Sequence, residues 1–272
     1  MSVAVNVTYP ADGVGLIAFA DPPRNFGSGE LADKIMTAVG EVEEAGCRVF
    51  VLASDTPGYF IAHWSLQFII DRQAAMAANG NAVPRPAPRI FEEISNTPMI
   101  SIAVNNGQAW GGGAELSWAC DLRIAGESAT YGQPEVGLGI IPGAGGTNRL
   151  ARLIGPAKCL EMILDGRPIS AIEARQLGAV NKVVSDTELR QAAIDWAAHI
   201  AQWPAWSLEA CKRSFYDGRD LPLDAARRNE SQIFLSVAGR EDSIALMSEV
   251  QARYDAGHDS YDAIGLPRPG AT

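Results

Sequence analysis

One stretch of the chain, residues 99–146, constrains the fold more strongly than any other. It begins with an apolar, partly β-branched segment at 99–104 that directly follows Pro98 and predicts a buried strand. Turn residues at 105–107 end this strand, and three glycines at 111–113 come before Ala-Glu-Leu. Glycines at this place predict a tight loop that feeds the N-terminus of a helix, where free backbone N–H groups attract an anion. A phosphate and a developing oxyanion both suit such a loop, so the glycines alone do not distinguish them.

Two glutamates in this stretch, Glu115 and Glu135, lie twenty positions apart. A lone glutamate in the first turn of a helix is most often a surface carboxylate that stabilises the helix dipole, and one in a loop is most often a solvated charge. The small and apolar neighbours of Glu115, among them Leu116 and Trp118, argue instead for a partly buried position. Two carboxylates brought together in a dry cleft can divide the work of a general acid and a general base.

The rest of the chain follows a pattern of strands alternating with helices over about the first 184 residues. Asp12 and Gly13 predict a hairpin turn before a strand at 14–20, and a helix is predicted to begin near Gly29. A nearly all-apolar strand at 48–53 is typical of a sheet that is covered on both faces. The pattern predicts an α/β fold with a mostly parallel sheet.

The C-terminal part of the chain is predicted to be helical to about residue 256. Residues 185–188 read as a capping box that begins one helix, and Pro204 ends it. An Asn-, Ala- and Pro-rich segment at 79–89 is predicted to be variable or mobile, either shaping a binding pocket or serving as an exposed linker.

Three segments together resemble the crotonase superfamily, and within it the enoyl-CoA hydratases. They are GGGAEL at 111–116, CDLRIAGESATYGQPEVGLGIIPGAGGTNRL at 120–150 and GAVNKVV at 178–184. The resemblance is dense from about residue 98 to residue 184 and weaker over most of the remaining chain. It implies a core of repeated ββα turns in a spiral at 1–203, which holds the acyl-CoA site. Residues 204–272 would then form a C-terminal helical region that mediates contacts in a homotrimer or a dimer of trimers.

The resemblance also implies an activity, the hydration of trans-2-enoyl-CoA to 3-hydroxyacyl-CoA and its reverse. Glu115 would hold and deprotonate the water, and Glu135 would deliver a proton to the α-carbon. The N–H groups of Gly112 and Trp64 would form the oxyanion hole. The remaining substrate-binding positions implied by the resemblance are Ala62, Gly111 and Gly143. No metal and no redox cofactor are implied, because coenzyme A enters as part of the substrate.

The clearest departure from the family is Ala62-His63-Trp64-Ser65, where the usual pattern is Ala-Gly-Ala-Asp. The indole of Trp64 is expected either to form a wall of the acyl pocket or to pack under the loop as a structural plug. Other activities of the superfamily stay open, namely Δ3–Δ2 enoyl-CoA isomerisation, which needs only the group at Glu135, and hydrolysis of a C–C bond or a thioester. A non-catalytic acyl-CoA-binding oligomer is the alternative from another class.

Charge and cysteine usage narrow the possible partners and compartments. The net charge of −10 and the absence of a basic stripe argue against nucleic-acid binding. Four cysteines, none in a CxxC pair, fit reduced thiols and predict a cytoplasmic protein. No basic region precedes the first apolar residues, which predicts no signal peptide, and no apolar run is long enough to predict a membrane span.

Overall fold

The structure is a computed structural model that describes residues 3–78 and 89–268. The segment predicted to be variable, 79–89, lies outside the described residues except for its last position. The chain divides into two compact units, Met1–Ala205 and Trp206–Thr272. The roles assigned above to residues 1–203 and 204–272 stay predictions.

The described part of the first unit contains two β-sheets. In chain order its strands are β1 (Ala4–Ala11), β2 (Val14–Ala20), β3 (Val49–Ser54), β4 (Gly58–Ile61), β5 (Ile100–Asn105), β6 (Gly107–Trp110), β7 (Leu122–Gly126), β8 (Thr130–Gly132), β9 (Ile169–Ser170) and β10 (Lys182–Val184). The larger sheet has the order β1-β2-β3-β5-β7-β10, and the smaller sheet has the order β4-β6-β8-β9. The predicted hairpin joins β1 to β2, and β2, β3, β5, β7 and β10 run parallel.

Successive strands alternate between the two sheets. The chain passes from β3 to β4, from β5 to β6 and from β7 to β8, and each of these steps leaves the larger sheet for the smaller one. Parallel pairing within each sheet then joins one turn to the next. This is the ββα spiral that the resemblance implied, so that prediction is confirmed.

Strands β4 and β6 were not predicted, because no strand was expected at 58–61 and turn residues were expected at 105–107. The chain changes sheets abruptly at Asn105, whose side-chain Oδ1 accepts the N–H of Gly107 at 3.0 Å. Gly107 then lies so close to β4 that an added Cβ would fall 2.0 Å from the carbonyl oxygen of Gly58. The residues that normally indicate a turn therefore begin a second strand here, and only glycine allows its backbone to approach β4.

The helices of the first unit cover both faces of the larger sheet. They are α1 (Gly29–Glu44), α2 (Leu66–Ala78), α3 (Ile90–Asn96), α4 (Gly112–Ala119), α5 (Arg149–Ile154), α6 (Pro156–Asp165), α7 (Ala171–Gln176) and α8 (Leu189–Ile200). Within β3, Phe50 and Leu52 join a core cluster shared with α1, whereas Val49 and Val51 join a second cluster shared with α8. Burial on both faces explains why this strand is nearly all apolar, as predicted.

The capping box predicted at 185–188 is wrong. Helix α8 begins at Leu189, and no side chain caps its N-terminus. The hydroxyl of Ser185 donates to the carboxylate of Glu188 at 2.5 Å, so neither side chain is used to accept a helix N–H. Residues 186–188 form a turn instead.

The described residues of the second unit form helices joined by short turns, in agreement with the helical region predicted to about residue 256. After α9 (Ala205–Gly218) it contains α10 (Leu223–Ala238), α11 (Glu241–Asp255) and α12 (Ser260–Ile264). Phe215, Leu223 and Phe234 are exposed and line a groove of about 630 Å³ between α9 and α10. Among the helices of residues 3–78 and 89–268, none combines the length and apolarity that crossing a bilayer requires.

Candidate active site

The glycine-rich turn joins β6 directly to α4. Gly111 adopts a φ of +50°, a backbone angle that favours glycine, and a Cβ at this residue would lie 2.8 Å from Oε1 of Glu135 and displace that carboxylate. Gly112 is the first residue of the helix, and its N–H donates to no other described residue. Such an N–H at the positive end of a helix suits a developing negative charge.

A second free N–H belongs to Trp64. The backbone around it is held on both sides, because the N–H of Gly27 donates to His63 O at 2.9 Å and the N–H of Ser65 donates to Gly27 O at 2.8 Å. The N–H of Trp64 donates to none of the described residues. A Cβ built on Gly112 would lie 3.1 Å from Cβ of Trp64, so these two residues are in contact. The two N–H groups predicted to form the oxyanion hole therefore lie on adjacent backbone segments, and their role as donors to a substrate stays a prediction.

The indole of Trp64 lies in the hydrophobic core. It is 7% exposed, and its ring centroid lies 5.0 Å from that of Phe91. The indole also fills the space beside Gly27, where an added Cβ would fall 2.2 Å from its Cε3 atom. Of the two interpretations of this residue, these contacts favour the structural plug.

Glu115 lies in the first turn of α4 and is 3% exposed, so it is not a surface carboxylate. Its Oε1 accepts two backbone hydrogen bonds, from Ala144 at 2.7 Å and from Gly146 at 2.8 Å. Burial raises the pKa of Glu115, while these N–H groups and the charge of Arg149 act in the opposite direction. The site therefore supplies donors that favour the ionised form of a buried carboxylate.

Glu135 begins a short 3-10 helix, Glu135–Leu138, and is 7% exposed. Its Oε2 is buried without a hydrogen-bond partner among the described residues. Burial, together with the negative charge of Glu115, raises the pKa of Glu135 to about 7, while a hydrogen bond from its own backbone acts in the opposite direction. The two carboxylates are therefore close enough to interact, and near neutral pH Glu135 is available as a proton donor.

The other predicted substrate-binding positions play different parts. Ala62 is buried, its N–H donates to Asn25 O at 3.2 Å, and its carbonyl accepts the amide of Gln108 at 3.1 Å. Gly143 is exposed, and the N–H groups that hold Glu115 come from the residues that follow it. A role of either residue in binding substrate stays a prediction.

Two polar side chains at this site were not singled out from the sequence. Gln133 is fully buried, and its Nε2 donates to Gly111 O at 3.2 Å. Arg149 donates to Phe91 O at 2.7 Å and to the hydroxyl of Ser95 at 2.8 Å, which ties α5 to α3. Both residues lie within the stretch that resembles the crotonases, but only their contacts reveal what they do. Within the described residues, no group of three His, Cys, Asp or Glu side chains is arranged to hold a metal ion.

The site and the spiral define the class. The chain belongs to the enoyl-CoA hydratase/isomerase family, whose model matches residues 10–251.

Individual relatives agree with this assignment. The chain is 33% identical over 211 residues to the 2,3-dehydroadipyl-CoA hydratase of Escherichia coli K12, a match that covers 76% of this chain and 81% of that protein. It is 34% identical over 202 residues to a probable mitochondrial enoyl-CoA hydratase 2 of Arabidopsis thaliana, covering 74% of this chain and 66% of that protein, just under two thirds. Among solved structures, the enoyl-CoA hydratase of Bacillus anthracis aligns with a TM-score of 0.82 at 32% identity and covers 92% of this chain and 96% of that one.

Proposed function

We propose that this protein hydrates trans-2-enoyl thioesters of coenzyme A to 3-hydroxyacyl-CoA and catalyses the reverse reaction. One observation carries the proposal: two buried glutamates with opposite surroundings lie beside two unpaired backbone N–H groups. Glu115 has donors for a negative charge, whereas Oε2 of Glu135 has none among the described residues. The names of the relatives support the same reaction type.

In this proposal the thioester carbonyl accepts the N–H groups of Gly112 and Trp64. These donors stabilise the enolate oxygen that develops when water adds to the β-carbon. Ionised Glu115 removes one proton from the water, whose hydroxyl forms the new C–O bond. Protonated Glu135 delivers a proton to the α-carbon, so the product gains one whole water molecule. Proton exchange with solvent then restores both carboxyl groups.

Isomerisation of a Δ3-enoyl-CoA is the nearest alternative, because it needs only one acid–base group. The two hydrogen bonds to buried Glu115 favour hydration, since an isomerase has no use for a second carboxylate in the dry part of the site. Hydrolysis of a C–C bond or a thioester and non-catalytic binding of acyl-CoA are further outcomes of the same test.

The test is the loss of the enoyl-thioester absorbance after crotonyl-CoA and longer or branched enoyl-CoAs are added to the protein. We expect the absorbance to fall and 3-hydroxyacyl-CoA to form, with the same rate in a Glu127→Gln control, because Glu127 is exposed. Product formed only from a Δ3-enoyl-CoA would establish the isomerase instead. A flat trace with every acyl chain would overturn the hydratase proposal.

We also propose a homotrimer or a dimer of trimers in the cytoplasm. The exposed apolar residues of α9 and α10 support assembly, because a surface of this kind is usually covered by a partner. Light scattering of the full chain is expected to give the mass of three or six copies, and a monomer would contradict this assembly. The four free cysteines support a reducing compartment.

A further inference from the structure

The side chain of Gln133 lies between the glycine turn that carries the proposed oxyanion donor and the loop that holds Glu115. Gln133 directly follows β8, lies two residues before Glu135 and has no exposed surface. Its Nε2 donates to the carbonyl oxygen of Gly111 at 3.2 Å. The other end of the same amide points toward the loop that holds Glu115.

The bond to Gly111 acts on the N–H of Gly112, because the two groups belong to one peptide unit. A trans peptide is planar, so its C=O and its N–H point in opposite directions. A donor that holds the carbonyl of Gly111 therefore also sets the direction of the Gly112 N–H. The backbone N–H of Glu115 donates to the same carbonyl at 2.9 Å. Two bonds to one carbonyl polarise the peptide, which makes its N–H a stronger donor.

The second end of the Gln133 amide contacts Gly146. A Cβ built on Gly146 would lie 2.2 Å from Oε1 of Gln133, so the amide oxygen rests directly against this glycine. The N–H of Gly146 in turn donates to Oε1 of Glu115 at 2.8 Å. One buried side chain thus spans the distance between the oxyanion donor and the loop that holds the base.

Burial of the amide oxygen of Gln133 costs free energy of folding, and packing alone does not explain why this cost is accepted. It is buried and has no hydrogen-bond partner among the described residues. An unsatisfied buried acceptor costs about 1–3 kcal/mol, and an apolar side chain of similar length, such as methionine, would fill the space without that cost. The useful property of glutamine at this place is its N–H donor.

We infer that Gln133 is a positioning residue that orients the Gly112 N–H toward the thioester oxygen, strengthens it as a donor, and fixes the loop that holds Glu115. This inference rests on the proposed hydratase function and assigns a further residue to the same site. Gln133 itself does not touch the reacting atoms.

The variant Gln133→Met tests the inference because it removes the donor and nearly preserves the volume. We expect kcat to fall about 10- to 100-fold, less than when an oxyanion donor is deleted, with a smaller change in KM. The specific readout is the absorbance band of a bound cinnamoyl-CoA thioester, which shifts to longer wavelength when its carbonyl is polarised. This shift is expected on the wild-type protein and is expected to be largely lost in Gln133→Met.

Gln108→Met is the matched control, because Gln108 also donates its amide to a backbone carbonyl, that of Ala62. That carbonyl belongs to the peptide between Ala62 and His63, which carries neither proposed oxyanion donor. A similar loss of melting temperature is expected in both variants, but the control is expected to keep the wavelength shift. If Gln133→Met does not fold, Gln133→Asn, whose shorter amide does not reach Gly111, replaces it.

The outcomes separate the inference from the proposed function. A wild-type protein that neither hydrates enoyl-CoA nor shifts the band of the bound thioester overturns the proposed function. A wild-type protein that does both, together with a full shift and an unchanged kcat in the Gln133 variant, overturns the inference alone. Equal loss of the shift in the Gln108 control also overturns it, because the effect would then be general loosening of the site.

Discussion

Glu115 and Glu135 are the same residue type in two contrasting surroundings. Glu115 is held by a loop that aims two backbone N–H groups at one carboxylate oxygen. Glu135 faces the glycine turn, and its buried Oε2 receives no hydrogen bond from the described residues. Burial raises the pKa of both groups. The N–H groups of Ala144 and Gly146 counter this rise at Glu115, whereas at Glu135 the opposing hydrogen bond comes from its own backbone and the charge of Glu115 adds to the rise. The comparison teaches that two carboxylates of one site differ because the backbone groups around them differ, and the proposed roles of base and acid rest on that difference.

The largest predicted effect concerns the N–H of Trp64, which in the proposed mechanism stabilises the enolate that both glutamates act on. Trp64→Pro removes this donor, whereas Trp64→Ala keeps it and loses the same indole. We expect turnover in Trp64→Pro to be roughly 10²–10³-fold below that of Trp64→Ala, as for other losses of an oxyanion donor. Both variants are expected to lose about 3–5 kcal/mol of stability, because the indole is buried. Steady-state kinetics on crotonyl-CoA measures the difference, and equal turnover in the two variants would show that the donor lies elsewhere.

The next largest effect is the loss of hydration when either carboxylate is replaced while the rest of the site is kept. Glu115→Gln and Glu135→Gln are each expected to lower hydration by at least about 10²-fold, the usual contribution of a general acid or base. Binding of a saturated acyl-CoA, measured by calorimetry, is expected to persist, since each substitution nearly preserves the size of the side chain and keeps the N–H groups of Gly112 and Trp64 that hold the thioester carbonyl in the proposed mechanism. A variant with near wild-type hydration would remove that glutamate from the mechanism.

The smallest effect is on stability and depends on pH. The pKa of Glu135 rises on folding from an ordinary value of 4.5 to about 7, so the folded protein binds this proton more tightly than the unfolded chain. The contribution of the protonated Glu135 side chain to the free energy of unfolding is fully present below pH 4.5 and is lost as the pH rises toward about 7.

The variant Glu135→Gln has no titrating group at this position, so its stability does not change with pH through this residue. The melting temperature of the variant relative to wild type is therefore expected to increase between about pH 4.5 and 7 and to level off above that range. The exposed Glu127→Gln variant provides the control. A difference between Glu135→Gln and wild type that stays constant with pH would contradict the account of Glu135.

Much of the architecture was predictable because it depends on local patterns. Strand β2 has the predicted bounds, Val14–Ala20, and α1 begins at the predicted Gly29, because hairpin turns and apolar faces leave direct signals in sequence. Strand β6 was missed since Asn105 and Gly107 normally end a strand, and here they redirect the chain into a second sheet. The resemblance, not the periodicity, predicted the spiral.

The residues themselves indicated only the charged groups of the site, and the resemblance added the backbone N–H groups of Gly112 and Trp64. The positions and surroundings of Glu115 and Glu135 pointed to paired carboxylates, but the donors that distinguish them come from the backbone of Ala144 and Gly146. The direction of a backbone N–H is not encoded by its own residue type, so no sequence signal identified these donors. The sequence also gave no indication that the side chain of Gln133 bonds to the peptide that carries the proposed oxyanion donor, because this contact depends on the folded backbone of Gly111.

The most direct test of the division between base and acid is exchange of the α-protons of butyryl-CoA in D₂O. Butyryl-CoA has no hydroxyl group to lose, so exchange reports only proton transfer at the α-carbon, the step assigned to Glu135. NMR of the bound ester's α-protons is expected to show exchange in wild type and in Glu115→Gln. In Glu135→Gln the exchange rate is expected to fall at least about 10²-fold. Loss of exchange in Glu115→Gln, or full exchange in Glu135→Gln, would contradict the account.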